Sequence, residues 1–111
     1  MNKKPKILIA DDSEINRAML SDILAPDYEV LEASDGEEAV ACLDQRHSEI
    51  ALVILDIVMP NMDGFEVLAV MNRNGWVNNI PVIIVSSETS SSYIDHAYQL
   101  GASEYINRPF F

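Results

Sequence analysis

The sequence predicts an α/β domain in which a five-stranded parallel sheet is wound with helices on both faces. Three observations predict it. Residues 7–10, 50–55 and 82–85 form continuously apolar runs rich in Ile and Val, the pattern of strands buried on both faces. Helical patterns with recognisable ends lie between such runs. The alternation of strand and helix repeats four times before a fifth strand, and right-handed crossovers then set the strands parallel.

Each element has its own signal. The first strand covers residues 7–10. Ser13 caps a helix whose Ile15, Met19 and Ile23 recur every fourth residue, and Pro26 follows its end. A second strand spans residues 28–31. Ser34, with Glu37 three residues on, reads as a capping box for the second helix. The third strand is residues 50–55. Asp63 caps a third helix with Phe65, Leu68 and Met71 on one face and Gly75 just past its end. The fourth strand is residues 82–85. After a Ser-rich loop, a fourth helix runs from about Ser91 through Ile94, Ala97 and Tyr98 to Gly101. Tyr105-Ile106 marks the fifth strand.

Composition narrows the function. A chain of 111 residues suits one domain, and 49% apolar content is enough to bury a core. A formal charge of −11 repels nucleic acid and anionic membrane. It suits a domain that gathers divalent cations or meets basic partner surfaces, although acidity also serves plain solubility. The lone Cys42 forms no intrachain disulfide and fits a packing role in a reducing compartment. The apolar run after the basic N-terminus is too short for a signal peptide, and no run approaches membrane-spanning length, so the cytoplasm is the expected location.

Acids gather at strand ends. Asp11 and Asp12 follow the first strand and Asp56 ends the third. In a parallel sheet these ends share one edge, where open α/β folds bind ligands. In a flavodoxin-like order the first and third strands are neighbours, and three carboxylates converge. Such charges repel unless a cation sits among them. Hard oxygen ligands suit Mg²⁺ or Mn²⁺. For Asp12, capping of the first helix competes with this role. Ser86 ends the fourth strand with a hydroxyl, and Arg108 ends the fifth with a fixed positive charge. A carboxylate, a divalent cation, a hydroxyl and a fixed cation can together accept and hold a phosphoryl group, with Asp56 as nucleophile. No Gly-rich nucleotide loop occurs, so ATP is not the expected donor. His47 and His96 lack ligand partners at metal spacing, and Trp76 reads as a lid on the core.

The sequence resembles the response-regulator receiver family of bacterial-type two-component systems, in a chemotaxis-regulator-like form, across essentially its whole length. The matching segments are Asp11-Asp12, Leu55-Asp56 with Met59-Pro60-Asn61-Met62-Asp63-Gly64, Val85-Ser86-Ser87, and Gly101 to Tyr105 leading to Arg108-Pro109-Phe110. The resemblance implies a flavodoxin-like sheet of order 2-1-3-4-5. It implies that Asp56 accepts phosphate from a sensor histidine kinase or phosphotransfer protein. Asp12 and Asp56 would bind Mg²⁺ directly, Asp11 through water, and the Val58 backbone carbonyl would be a further ligand. Ser86 would bind the phosphoryl group, and its inward movement would free space for Tyr105 to rotate. The face of the fourth helix and fifth strand would then be read by an output domain or partner protein. Pro60 and Gly64 would shape the loop after Asp56, and the Arg108–Pro109 bond would be cis. The domain is thus expected to be a signalling phosphoacceptor rather than an enzyme, with no direct contact to nucleic acid or membrane.

Three departures qualify the resemblance. Arg108 stands where the family has Lys, and a planar fork replaces a compact point charge; it could pair with Asp56 or Asp63. The chain stops at Phe111 without the fifth helix, which suggests a C-terminally truncated domain with apolar residues of the first helix and sheet exposed. That helix normally forms part of the dimerisation surface, so homodimer formation stays open. Val58 is apolar where many relatives are polar, which predicts slow self-dephosphorylation. Two other readings are a phosphorylation-independent module of the same fold and a dehalogenase-like phosphatase, whose paired acids would stand two residues apart rather than adjacent.

Overall fold

A computed structural model of the chain describes residues 4–108. The strands are β1 (Lys6–Ala10), β2 (Glu29–Ala33), β3 (Ile50–Asp56), β4 (Val82–Ser86) and β5 (Glu104–Asn107). The helices are α1 (Glu14–Leu24), α2 (Gly36–Arg46), α3 (Gly64–Arg73) and α4 (Ser91–Gln99). All strand pairings are parallel, in the order β2-β1-β3-β4-β5. This is the expected flavodoxin-like order, with β1 and β3 adjacent. The expected cis bond at Pro109 lies outside the described residues. Among those residues, no helix is long and apolar enough to cross a membrane.

Side chains alternate across the sheet, and the alternation sorts the core. Leu8, Ala10, Val53, Leu55, Val82 and Ile84 face α2, α3 and α4, where Leu43, Val67, Leu68, Met71 and Ala97 complete the main cluster. Ile7 and Ile9 face α1 and pack with Leu20, Leu24, Leu52 and Ile54. The helix announced by Ile15, Met19 and Ile23 forms as α1, and apolar residues on it are exposed as expected. Leu20 and Leu24 supply its packing, whereas Ile15 and Ile23 are exposed at 72% and 62%. The helix lies over β1 and β2, so the 15/19/23 stripe points sideways along a sheet face that no other described helix covers. β2 also runs two residues further than expected, because Glu32 and Ala33 pair with Ile9 and Ala10.

The helix starts follow capping chemistry. The Ser13 hydroxyl accepts the Asn16 N–H at 3.2 Å, as expected. Asp63 and Glu66 form a reciprocal capping box at α3. At α2 the expected cap is displaced by one residue. Asp35, not Ser34, is the N-cap and accepts the Glu38 N–H at 2.8 Å. Glu38, not Glu37, reaches back to the Ser34 N–H at 2.8 Å. Tertiary contact explains the shift. Asp35 also accepts the Asn61 side-chain amide at 2.7 Å, which ties α2 to the loop after β3. These bonds hold the Asp35 carboxyl below its ordinary pKa, chiefly through the Glu38 N–H and then Asn61.

Two glycines in this region are dictated by close approach. A Cβ on Gly36 would lie 2.1 Å from the Met62 carbonyl oxygen, and one on Gly64 would lie 2.2 Å from the Asp56 carbonyl oxygen. Asn61 takes a left-handed φ of 68°, a conformation Asn tolerates better than most residues. Gly36→Ala is therefore expected to lower unfolding free energy by about 2 kcal/mol or more, since backbone must move to admit the methyl group. Urea denaturation of the variant against the parent checks this; a loss below the error of the extrapolation would show that the loop yields freely.

Candidate functional site

The C-terminal edge of the sheet collects Asp11, Asp12 and Asp56. Strand alternation continues past Ala10 to set Asp11 on the Ile7/Ile9 side, and it sets Asp56 on the Leu52/Ile54 side. Those are the same face of neighbouring strands. One carboxylate oxygen from each of Asp11, Asp12 and Asp56 lies within 4.8 Å of the others. Asp11 and Asp56 are buried, at 2% and 6% exposure, and Asp12 is exposed. Capping does not claim Asp12, because Ser13 is the N-cap.

Arg108 enters the same site. Its guanidinium forms ion pairs with Asp11 Oδ2 and, at 3.7 Å, with Asp56 Oδ2. The alternative pairing with Asp63 is not formed; that carboxylate caps α3. The Arg108 N–H donates to the Ser86 carbonyl at 2.9 Å, so the root of the side chain is fixed to the end of β4. The other Asp11 oxygen accepts the Ser13 N–H at 2.9 Å.

Ser86 and Tyr105 belong to the opposite face. Ser86 continues the Val82/Ile84 alternation and is buried, and Tyr105 is half-buried against the main cluster. The two are joined through one residue. The Glu88 N–H donates to Ser86 Oγ at 3.1 Å, and the Tyr105 hydroxyl donates to the Glu88 carbonyl at 2.9 Å. Nothing in the sequence pattern singles out Glu88, because it contributes backbone. Val58 follows Asp56 by two residues and is 66% exposed.

Arg17 was also missed by sequence reasoning. It donates to the Asp11 backbone carbonyl at 2.7 Å and pairs with Glu32 at 3.0 Å, which braces the loop between β1 and α1. A cation one turn into the helix that follows an acid pair is the signal that could have found it.

The other singled-out residues lie elsewhere. His47 stacks on Trp76 with ring centroids 5.0 Å apart. Trp76 is partly buried against the core, in keeping with a lid. The His96 ring packs on Phe65 at 4.6 Å. Cys42 packs against the core, and burial pushes its thiol pKa up, which suits an inert side chain.

The electrostatics of the site are dominated by burial. Loss of water pushes the Asp56 carboxyl up from 3.8 to about 6. Arg108 opposes that rise, Asp11 adds to it, the Ile57 N–H opposes it and Asp12 adds a smaller push. The folded state therefore holds the Asp56 proton more tightly than the unfolded chain does. Stability is lost as pH rises from about 4 to about 6 and stays lost above that range. Removing the charge removes the loss. Asp56→Asn is expected to stabilise the metal-free domain by about 1–3 kcal/mol at neutral pH, with the gain fading to nothing below pH 4. Thermal or urea unfolding across this range checks it; a gain independent of pH would assign the effect to packing instead.

Comparison with known proteins places this arrangement. The model of the response regulator receiver domain matches residues 7–111. A probable cyclic di-GMP phosphodiesterase of Vibrio cholerae is 39% identical over 93% of the chain, and histidine kinase P4 of Formosa agariphila is 33% identical over 97%. The chain spans only 23% and 8% of the lengths of these two proteins. The crystal structure of the phosphorylated cyanobacterial phytochrome response regulator RcpA superposes with a TM-score of 0.88 at 30% identity, covering 97% of this chain and 83% of that one. With its 2-1-3-4-5 parallel sheet and a matching family model over nearly its full length, the chain belongs to the response regulator receiver family of two-component signalling.

Proposed function

We propose that this domain is a phosphoacceptor switch in which Asp56 receives a phosphoryl group from the phosphohistidine of a sensor kinase or phosphotransfer protein. One observation carries the reading. The buried Asp56 carboxylate ends β3 among two further acids and within reach of one guanidinium. A carboxylate oxygen of Asp56 attacks phosphorus, the phosphorus–nitrogen bond of the donor breaks, and the imidazole leaves with the electron pair. The product is an aspartyl phosphate. Small acyl phosphates serve as alternative donors.

The residues fit a hard divalent cation, Mg²⁺ or Mn²⁺. Three carboxylate oxygens share a small space, and two of them belong to buried side chains. Asp12 and Asp56 would hold the ion directly, Asp11 through water, and the Val58 backbone carbonyl would complete the set. When bound, the ion neutralises and orients the transferring group. Arg108 offers its planar fork to the phosphoryl oxygens, and the Ser86 hydroxyl offers a further hydrogen bond. Engagement of Ser86 would draw on its link to Glu88 and so loosen the Tyr105 hydroxyl, altering the α4/β5 face that an output domain or partner reads. A cytoplasmic setting and the absence of nucleic-acid contact belong to the same reading.

Intact mass after incubation with Mg²⁺ and acetyl phosphate is the direct test. A gain of one phosphoryl group in the parent and none in Asp56→Asn is the expected result. No gain in folded protein shown to bind Mg²⁺ would favour the phosphorylation-independent module, to which the Arg108 ion pairs with both buried acids already lean. The exposed, apolar Val58 cannot orient an attacking water. Val58→Asn is therefore expected to shorten the aspartyl-phosphate lifetime several-fold, read by loss of the added mass over time; an unchanged lifetime would clear Val58 of this role.

A further inference from the structure

We propose that Asp35 is a positioning residue for phosphoryl uptake at Asp56, acting through Asn61 to hold the loop between β3 and α3 in the shape that cation binding requires. The inference rests on Asp56 being the phosphoacceptor of a cation-dependent site. The Asp35 carboxylate divides its oxygens between two tasks. Oδ1 accepts the Glu38 N–H at 2.8 Å and so caps α2, and Oδ2 accepts the Asn61 side-chain amide at 2.7 Å. Capping needs one oxygen only, and a serine serves as well as an aspartate for that task, as Ser13 does at α1. The second oxygen is directed at a residue 26 positions away, in another element's loop.

Asn61 needs such a hold. Its φ is 68°, and the Met62 N–H donates across it to the Pro60 carbonyl at 2.7 Å. This is a γ-turn with positive φ, a rare and strained conformation. Among the described residues, the bond from Asp35 is the one side-chain hydrogen bond that reaches residues 57–62 from another element. Close packing seats the same apex, because a Cβ on Gly36 would lie 2.1 Å from the Met62 carbonyl oxygen. The base of the loop is closed by the Gly64 N–H, which donates to the Ile57 carbonyl at 2.7 Å. Val58, whose backbone carbonyl is the proposed metal ligand, lies between these two holds. Release of the apex would leave Val58 fixed from one side only.

Substitutions in the 111-residue chain separate this role from plain capping. Asn61→Asp sets two carboxylates against each other. Asn61→Gly suits the left-handed turn and removes only the amide. Asp35→Asn combined with Asn61→Asp restores the bond with donor and acceptor exchanged, and keeps the net charge and a good helix cap. Mg²⁺ affinity by calorimetry is the first readout, and the rate of mass gain from acetyl phosphate at limiting Mg²⁺ is the second. Asn61→Asp is expected to bind Mg²⁺ on the order of tenfold more weakly, as when a residue that orients a metal ligand is lost. Its added negative charge acts in the opposite direction, so charge alone does not produce that loss. Asn61→Gly is expected to weaken binding too, and it decides the matter should Asn61→Asp not fold. The double exchange is expected to return to within about twofold of the parent in both readouts. Parental Mg²⁺ affinity in either folded single variant, or a double exchange as weak as Asn61→Asp alone, would overturn the proposal. A parent chain that gains no phosphoryl group would instead overturn the Asp56 reading, and the proposal with it.

Discussion

Burial of two neighbouring carboxylates, Asp11 and Asp56, is the constraint around which this domain is arranged. Parallel strands with β1 and β3 adjacent deliver both acids to one edge, and strand alternation turns both to one face. Burial removes the water that would otherwise separate their charges, as the raised Asp56 pKa reports. One guanidinium and two backbone N–H groups offset the pair. Arg108 bridges both carboxylates, the Ser13 N–H takes one Asp11 oxygen, and the Ile57 N–H serves Asp56.

The two faces of the sheet divide the labour. Asp11 and Asp56 belong to the α1 side, while Ser86 and Tyr105 belong to the side packed by α2, α3 and α4. The structure supplies a short path over the strand ends. The Arg108 N–H holds the Ser86 carbonyl, and the Ser86 hydroxyl and Tyr105 hydroxyl meet opposite ends of the Glu88 backbone. Hydrogen bonds of ordinary length thus connect β5 and the loop before α4 to the edge that carries the acids.

Much of this was legible in the sequence, for identifiable reasons. The apolar runs at 50–55 and 82–85 could only be buried strands, and acids that end such runs had to meet at the sheet edge. Ser13 and Asp63 cap their helices through local bonds, so local reading sufficed. Ser34 failed as a cap because the competing Asp35 is selected by Asn61, 26 residues away, and by the fit of Gly36 against Met62. The spacing of Ile15, Met19 and Ile23 announced α1, but the residues that pack it are Leu20 and Leu24. Which face of an amphipathic helix is buried depends on the elements beside it, and periodicity alone does not report them. Glu88 was invisible because its part is played by backbone, and Arg17 because its partner is a carbonyl.

Arg108 shows how one group can hold an acidic cluster together. Its guanidinium pairs with both Asp11 and Asp56 and so lowers the cost of keeping two buried carboxylates side by side. The Gly64 N–H binds the Ile57 carbonyl at 2.7 Å, and a Cβ on Gly64 would meet the Asp56 backbone carbonyl oxygen, so the loop after β3 closes tightly against the strand end that carries the buried acid.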